Sequence, residues 1–115
     1  MIERGEIYFA DLADAGRRPV IVVSRELLNR GHYVLAVTCT TKGFDSRSKL
    51  RNCVPFKAGE FGFTRDSVAQ CENLTMVEKS DLDLNSGPLG ILNDTALRSL
   101  VKAVGYVIES DYEPE

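Results

Sequence analysis

The 115-residue chain has one histidine, His32, and three cysteines, Cys39, Cys53 and Cys71. A lone histidine excludes a two-histidine metal site or a histidine acid–base pair within one chain. The cysteines are odd in number, widely spaced and embedded in strand-like segments, so they write neither a disulfide framework nor a CxxC metal knuckle. They read as buried small hydrophobes. No apolar run approaches the ~20 residues of a membrane span, and the N-terminus lacks the basic, apolar, small-residue order of a secretion signal. No membrane association, no metal, no cofactor and a cytoplasmic location are therefore expected. Any catalysis must use other groups.

What is present is ordinary in amount and unusual in placement. Hydrophobic residues make up 43% and charged residues 27%, as in a soluble globular protein, and the length predicts one domain over residues 1–115. The net charge is -3, but Arg17 through Lys57 holds nine basic residues against two acids, whereas four basic residues face eleven acids from residue 58 onward. Such asymmetry suggests a basic face for a polyanion and an acidic face that stays wet or deters the wrong partner. The plainer alternative is a surface whose charges mix once folded.

Along the chain, GEIYFADL (5–12) alternates loosely and predicts a first strand. PVIVVS (19–24) is too short for a helix and rich in Val and Ile, which favours a strand buried on both faces, with Pro19 at its first residue. RELLNRG predicts one or two helical turns closed by Gly31, and YVLAVTCTT a third strand. Lys42 to Asn52 is polar, basic and without apolar period, as a mobile loop would be. CVPF is a short strand, and after the turn in KAGEFGFTRD comes the longest alternating segment, SVAQCENLTMV. In NDTALRSLVKAVGYVIES, Leu97, Leu100, Val101, Val104 and Ile108 recur at spacings of three and four, which predicts an amphipathic helix capped by Asn93 or Asp94. Gly105 costs such a helix ~1 kcal/mol relative to alanine, so close packing against another backbone is expected there. The fold class is mostly β with a C-terminal helix (α+β), a small, mostly antiparallel, barrel-like sheet.

RGEIYFADL, GRRPVIVVS, LLNRG, TCTTK and GFTRDSVAQCENLTMVEKSDL occur in an order that resembles the MazF/PemK family of toxins from type II toxin–antitoxin pairs. The similarity runs from Arg4 to about Leu82 and continues weakly into the helix. It implies an SH3-like, CcdB-like barrel, a homodimer, and a metal-independent endoribonuclease that cuts single-stranded RNA at short sequences and is neutralised by a cognate antitoxin. On the resemblance, Arg18 matches the family's arginine of the RPV motif and Thr40 the threonine that closes the following strand, the main catalytic pair. Their chemistry follows from the residue types: a 2'-hydroxyl attacks phosphorus, charge grows on the non-bridging oxygens, and a fixed guanidinium with a hydroxyl donor stabilises it. A 2',3'-cyclic phosphate and a 5'-hydroxyl would result.

A guanidinium keeps its proton, so another group must accept the 2' proton. Relatives often carry glutamate or histidine followed by glutamine in the loop before the RPV arginine; here that loop is shortened to ADAGR. Their DQ-x-RT stretch stands here as Glu72, Asn73, Leu74, Thr75 and Met76, which leaves Glu72 as the candidate base. Arg17, Lys42, Arg47, Lys49, Arg51 and Ser67 are candidates for RNA contact. Each also has a plain reading. Arg17 and Arg18 could cover a strand end or pair with Asp11, Asp14 or Glu72. Ser67 could bond backbone, and Asn29 could close its helical turn. Phe61 and Phe63 could be buried rather than stacked on bases. The competing function is a non-catalytic binding toxin on the same fold, either gyrase-poison-like, as the related CcdB toxins are, or a degenerate RNA binder.

Overall fold

A computed structural model describes residues 1–114. In chain order it has strands β1 (Glu6–Leu12) and β2 (Gly16–Val22), a 3-10 turn (Leu28–Arg30) and β3 (Tyr33–Thr40). Then come a one-turn helix α1 (Phe44–Arg47), β4 (Cys53–Phe56), β5 (Ser67–Glu78), a second 3-10 turn (Lys79–Asp81), β6 (Gly90–Ile91) and helix α2 (Asp94–Ile108). The strands form one curled antiparallel sheet in the order β4-β5-β3-β2-β1-β6. The expected α+β class and order of elements are found. Among the described residues no helix is long and apolar enough to cross a membrane.

The Val/Ile run of β2 explains the sheet's two-sided burial. Successive side chains of a strand point to opposite faces. Ile21 therefore joins Ile7, Val37 and Ala69 in the cluster that α2 covers with Leu100 and Ala103. Val20 and Val22 join Tyr8, Ala10, Val34 and Ala36 on the other face. The three cysteines are free and buried, Cys39 and Cys71 within the first cluster. Phe63 is buried and stacks on Phe56 at 5.1 Å, while Phe61 meets the same ring edge-on at 6.0 Å, so the phenylalanines pack the core.

Four local expectations need correction. β2 begins at Gly16, not Pro19, because the tight turn pairs Gly16 with Leu12 and carries both arginines into the strand. Pro19 is tolerated inside it because β3 joins only from Val20 onward, so the missing N–H falls where that flank has no second neighbour. The segment from Lys42 to Asn52 holds α1, closed by the Arg47 N–H donating to the Gly43 carbonyl at 2.9 Å; a single turn needs no apolar period. In α2 the buried stripe is centred on Leu100 and includes Ala96, Leu97, Ala103 and Val104, leaving Val101 and Ile108 exposed. A Cβ on Gly105 would meet not another element but the Oγ of Ser110, 2.9 Å away, where the chain folds back over the helix end. Asn93 is the N-cap, accepting from the Ala96 N–H at 2.8 Å.

Two arrangements hold this frame together. Asn29 is fully buried, with Nδ2 donating to the carbonyls of Ile2 (3.1 Å) and Ser24 (3.0 Å) and Oδ1 accepting from the Ser24 hydroxyl, so its amide is used up within the protein. At the sheet's ends, the Phe61–Gly62 backbone that follows β4 lies directly on the Leu89–Gly90 backbone that enters β6. A Cβ on Gly62 would stand 2.0 Å from the Leu89 oxygen, and one on Gly90 would stand 2.0 Å from the Phe61 oxygen. Gly62 also has φ +89°, a conformation side chains rarely adopt. Gly62→Ala should therefore destabilise the fold by at least ~2 kcal/mol, through overpacking against backbone plus strain. Urea unfolding of the two proteins checks this; an unchanged midpoint would show that the two ends do not need this contact.

Candidate active site

Two connected hollows lie over the β2, β3 and β5 surface. Their origin is a break in strand register. β3 pairs with β5 regularly from Tyr33↔Glu78 to Val37↔Leu74, but the next step on β3, Thr38, is opposite Gln70. Cys71, Glu72 and Asn73 are thus left without partners on β3, although the Cys71 N–H is satisfied by the Asn52 carbonyl at 2.9 Å. In an unbroken strand Gln70 and Asn73 would point to opposite faces. The bulge turns both into one hollow, where the Asn73 Nδ2 donates to the Gln70 Oε1 at 3.4 Å.

That hollow, about 280 Å³, brings Arg18 and Thr40 together with Lys42 and Arg47. Arg18, partly buried on β2, donates from Nε to the Ala15 carbonyl at 3.0 Å. This contact holds the guanidinium plane while leaving both terminal nitrogens available. Among the described residues no carboxylate stands within ion-pair distance of it. Thr40 is buried at the end of β3, and its Oγ1 accepts from the Lys42 N–H at 3.2 Å, so the hydroxyl proton is left to donate outward. Two fixed donors and two further cations around one small opening suit a phosphate.

The larger hollow, about 550 Å³, shares Ala15, Thr38 and Asn73 with the first but has acidic walls, Asp11, Glu72 and Asp81. Glu72 lines only this one, and its carboxylate accepts from the Asn52 Nδ2 at 2.8 Å. The remaining candidates are scattered. Arg17, adjacent to Arg18 and so on the opposite face, is bound to Asp83 at 2.8 Å and lies over the Phe9 ring at 4.7 Å. That contact in turn draws the Asp83 carboxyl below its ordinary range. Arg51 lies over the Tyr106 ring at 4.6 Å, and Lys49 is exposed outside either hollow. Ser67 is buried and donates to the Arg65 carbonyl at 2.9 Å, its plain reading.

The thiols are not activated as nucleophiles: burial pushes Cys39, Cys53 and Cys71 all up, Cys71 to about 12. Among the described residues no three His, Cys, Asp or Glu side chains gather as a metal site would require. Sequence reasoning missed Thr38, Gln70 and Asn73. Their one visible signal was Glu72-Asn73, adjacent polar residues that interrupt the alternation of SVAQCENLTMV.

Comparison with known proteins shows the family and the fold. Residues 3–108 match the family model described as PemK-like, MazF-like toxin of type II toxin-antitoxin system. Endoribonuclease EndoA of Bacillus subtilis is 33% identical over 88 residues, covering 71% of this chain and 75% of that protein. Probable endoribonuclease MazF5 of Mycobacterium tuberculosis is 30% identical over 107 residues, 92% of each chain. Among solved structures, a mycobacterial endoribonuclease in complex with its cognate antitoxin superposes with a TM-score of 0.79 at 20% identity, over 98% of this chain and 100% of that one. The curled sheet, the C-terminal helix and the matched sequence together place this chain in the PemK-like, MazF-like family of toxins from type II toxin–antitoxin systems.

Proposed function

We propose that this chain is a metal-independent endoribonuclease toxin that cleaves single-stranded RNA and is neutralised by a cognate antitoxin. The observation that carries the reading is the meeting of Arg18 and Thr40 in one small basic hollow, each already oriented by a backbone contact. A scissile phosphate seated there would receive the two terminal nitrogens of Arg18 and the hydroxyl of Thr40 on its non-bridging oxygens. Because these donors are already in place, little reorganisation is needed as charge develops. The attacking group is the neighbouring 2'-hydroxyl, so DNA is not a substrate and the products carry 2',3'-cyclic phosphate and 5'-hydroxyl ends. Lys42 and Arg47 hold the adjoining backbone. Lys49 and Arg51 extend the basic surface beyond the hollow.

The 2' proton is assigned to Glu72. Of the three acids in the adjoining hollow, it alone belongs to the bulge that also carries Gln70 and Asn73, and substrate spanning both hollows passes it. Its bond to Asn52 occupies one oxygen and leaves the other. An acidic antitoxin segment suits the Arg18, Lys42 and Arg47 surface by charge. A second copy of the chain is the other proposed partner, and the exposed cross-strand neighbours Leu35 and Met76 offer it apolar surface. One observation favours a non-catalytic RNA binder on the same fold: among the described residues no carboxylate or imidazole lines the Arg18–Thr40 hollow itself. Stable RNA binding without product would select that reading.

Arg18→Ala and Thr40→Ala should each slow cleavage of single-stranded RNA in excess chelator by about 100-fold or more, with melting curves unchanged. Undiminished cutting by both variants would reject the site. Glu72→Gln should lower the rate by about 100-fold while leaving RNA affinity intact; a rate equal to the unmodified protein's assigns the proton to water instead. If Arg18, Lys42 and Arg47 contact phosphates, raising salt from about 50 to about 200 mM should weaken RNA binding roughly 20-fold, from the counterions those contacts release. A dissociation constant insensitive to salt would place the contact surface elsewhere.

A further inference from the structure

Two polar side chains on the floor of the hollows have no task in the chemistry above. Thr38 and Gln70 are register partners across β3 and β5, immediately past the break at Val37. Thr38 is only 9% exposed, yet its hydroxyl has no hydrogen-bond partner among the described residues, and it lines both hollows. Gln70 is partly buried between Ala69 and Cys71, which are fully covered. Its Oε1 is occupied by the Asn73 amide, which fixes the carboxamide's orientation and leaves Nε2 without an acceptor among the described residues.

Among the described residues no buried side-chain nitrogen or oxygen lacks a partner, so the Thr38 hydroxyl and the Gln70 Nε2 meet the water of the hollows. A ligand that displaces this water must offer them hydrogen bonds, whereas the neighbouring Ala36, Val37, Ala69 and Cys71 are apolar. The two groups are therefore arranged to meet atoms of a ligand. Thr38 is two residues before Thr40 on the same face of β3, about 7 Å along the strand. That puts the pair beside the phosphate position, where a base attached to the same stretch of backbone would lie. We propose that Thr38 and Gln70 read the nucleobase next to the scissile phosphate. The Gln70 Nε2 donates to a carbonyl or ring-nitrogen acceptor on the base edge, and the Thr38 hydroxyl completes the contact. This assignment rests on the RNA-cleaving function proposed above and concerns selectivity rather than rate.

The test compares the unmodified protein with Gln70→Leu, Gln70→Glu and the isosteric Thr38→Val, each accompanied by a thermal melt, on a pool of RNAs of random sequence whose cut ends are sequenced. Gln70→Leu and Thr38→Val should relax the base preference at one position beside the cut by about 10-fold. Gln70→Glu, which exchanges a donor for an acceptor, should turn the preference at that position toward bases presenting an amino group. If Gln70→Leu does not fold, Thr38→Val and Gln70→Glu decide the matter. A preference unchanged at every position, or a uniform slowing on all sequences, overturns the assignment. If the unmodified protein binds RNA without cutting it, affinity selection from the same pool is the readout. A preference lost in Thr38→Val then upholds base reading while cleavage falls, and its absence overturns both.

Discussion

The break in register between β3 and β5 is the constraint on which the rest of the molecule depends. A regular antiparallel pair sends alternate side chains to opposite faces, so a continuous β5 would divide Gln70 from Asn73 and leave Thr38 facing an ordinary partner. Skipping Cys71, Glu72 and Asn73 bends the strand and opens the surface next to Thr40. Before the break, Val68–Gln70 of β5 is paired on both edges, with β3 on one side and β4 on the other. The same irregularity thus curls the sheet and creates the hollows, which is why the site lies at the bend.

Around that bend, charge is sorted by the alternation of a single strand. Arg17 and Arg18 are neighbours of identical chemistry with opposite fates: the first is bound to Asp83 over Phe9, and the second, among the described residues, is held by the Ala15 carbonyl and by no carboxylate. An exposed ion pair such as Arg17–Asp83 adds little stability, but it removes one cation from the surface and pins the β1–β2 ribbon to the segment after β5. Arg18 gains from the turn that holds Ala15 a fixed direction without a counter-charge, the condition under which a guanidinium remains available to an anion. Beside this basic hollow, Asp11, Glu72 and Asp81 wall the second one. A polyanion crossing both must seat its phosphates in the first and present something other than phosphate to the second.

The order of elements along the chain, the double burial of PVIVVS and the C-terminal helix were legible because each is carried by contiguous residues: β-branched runs, alternation and a three-four spacing. Arg18 and Thr40 were singled out by motif strings in series, and the structure shows that they line one hollow. Elements without such a local signal were not legible. The single turn of α1 has no period to detect, and the true start of β2 depends on a turn pairing Gly16 with Leu12. Gly105 carried the right signal, a close contact, but the contacting group was Ser110 at the helix's own end.

The sequence by itself determined what kinds of side chain are available and which stretches become strands or helix, since propensity, alternation and charge are properties of neighbours along the chain. Only the tertiary structure decided which of the many basic and polar residues share a hollow. It bound Arg17 to Asp83, withdrew Ser67 to backbone, stacked Arg51 on Tyr106, and gathered Thr38, Gln70 and Asn73 beside Arg18 and Thr40. The physical reason is that strand register sets which residues meet across a sheet, and a bulge changes that register through contacts between segments far apart in sequence.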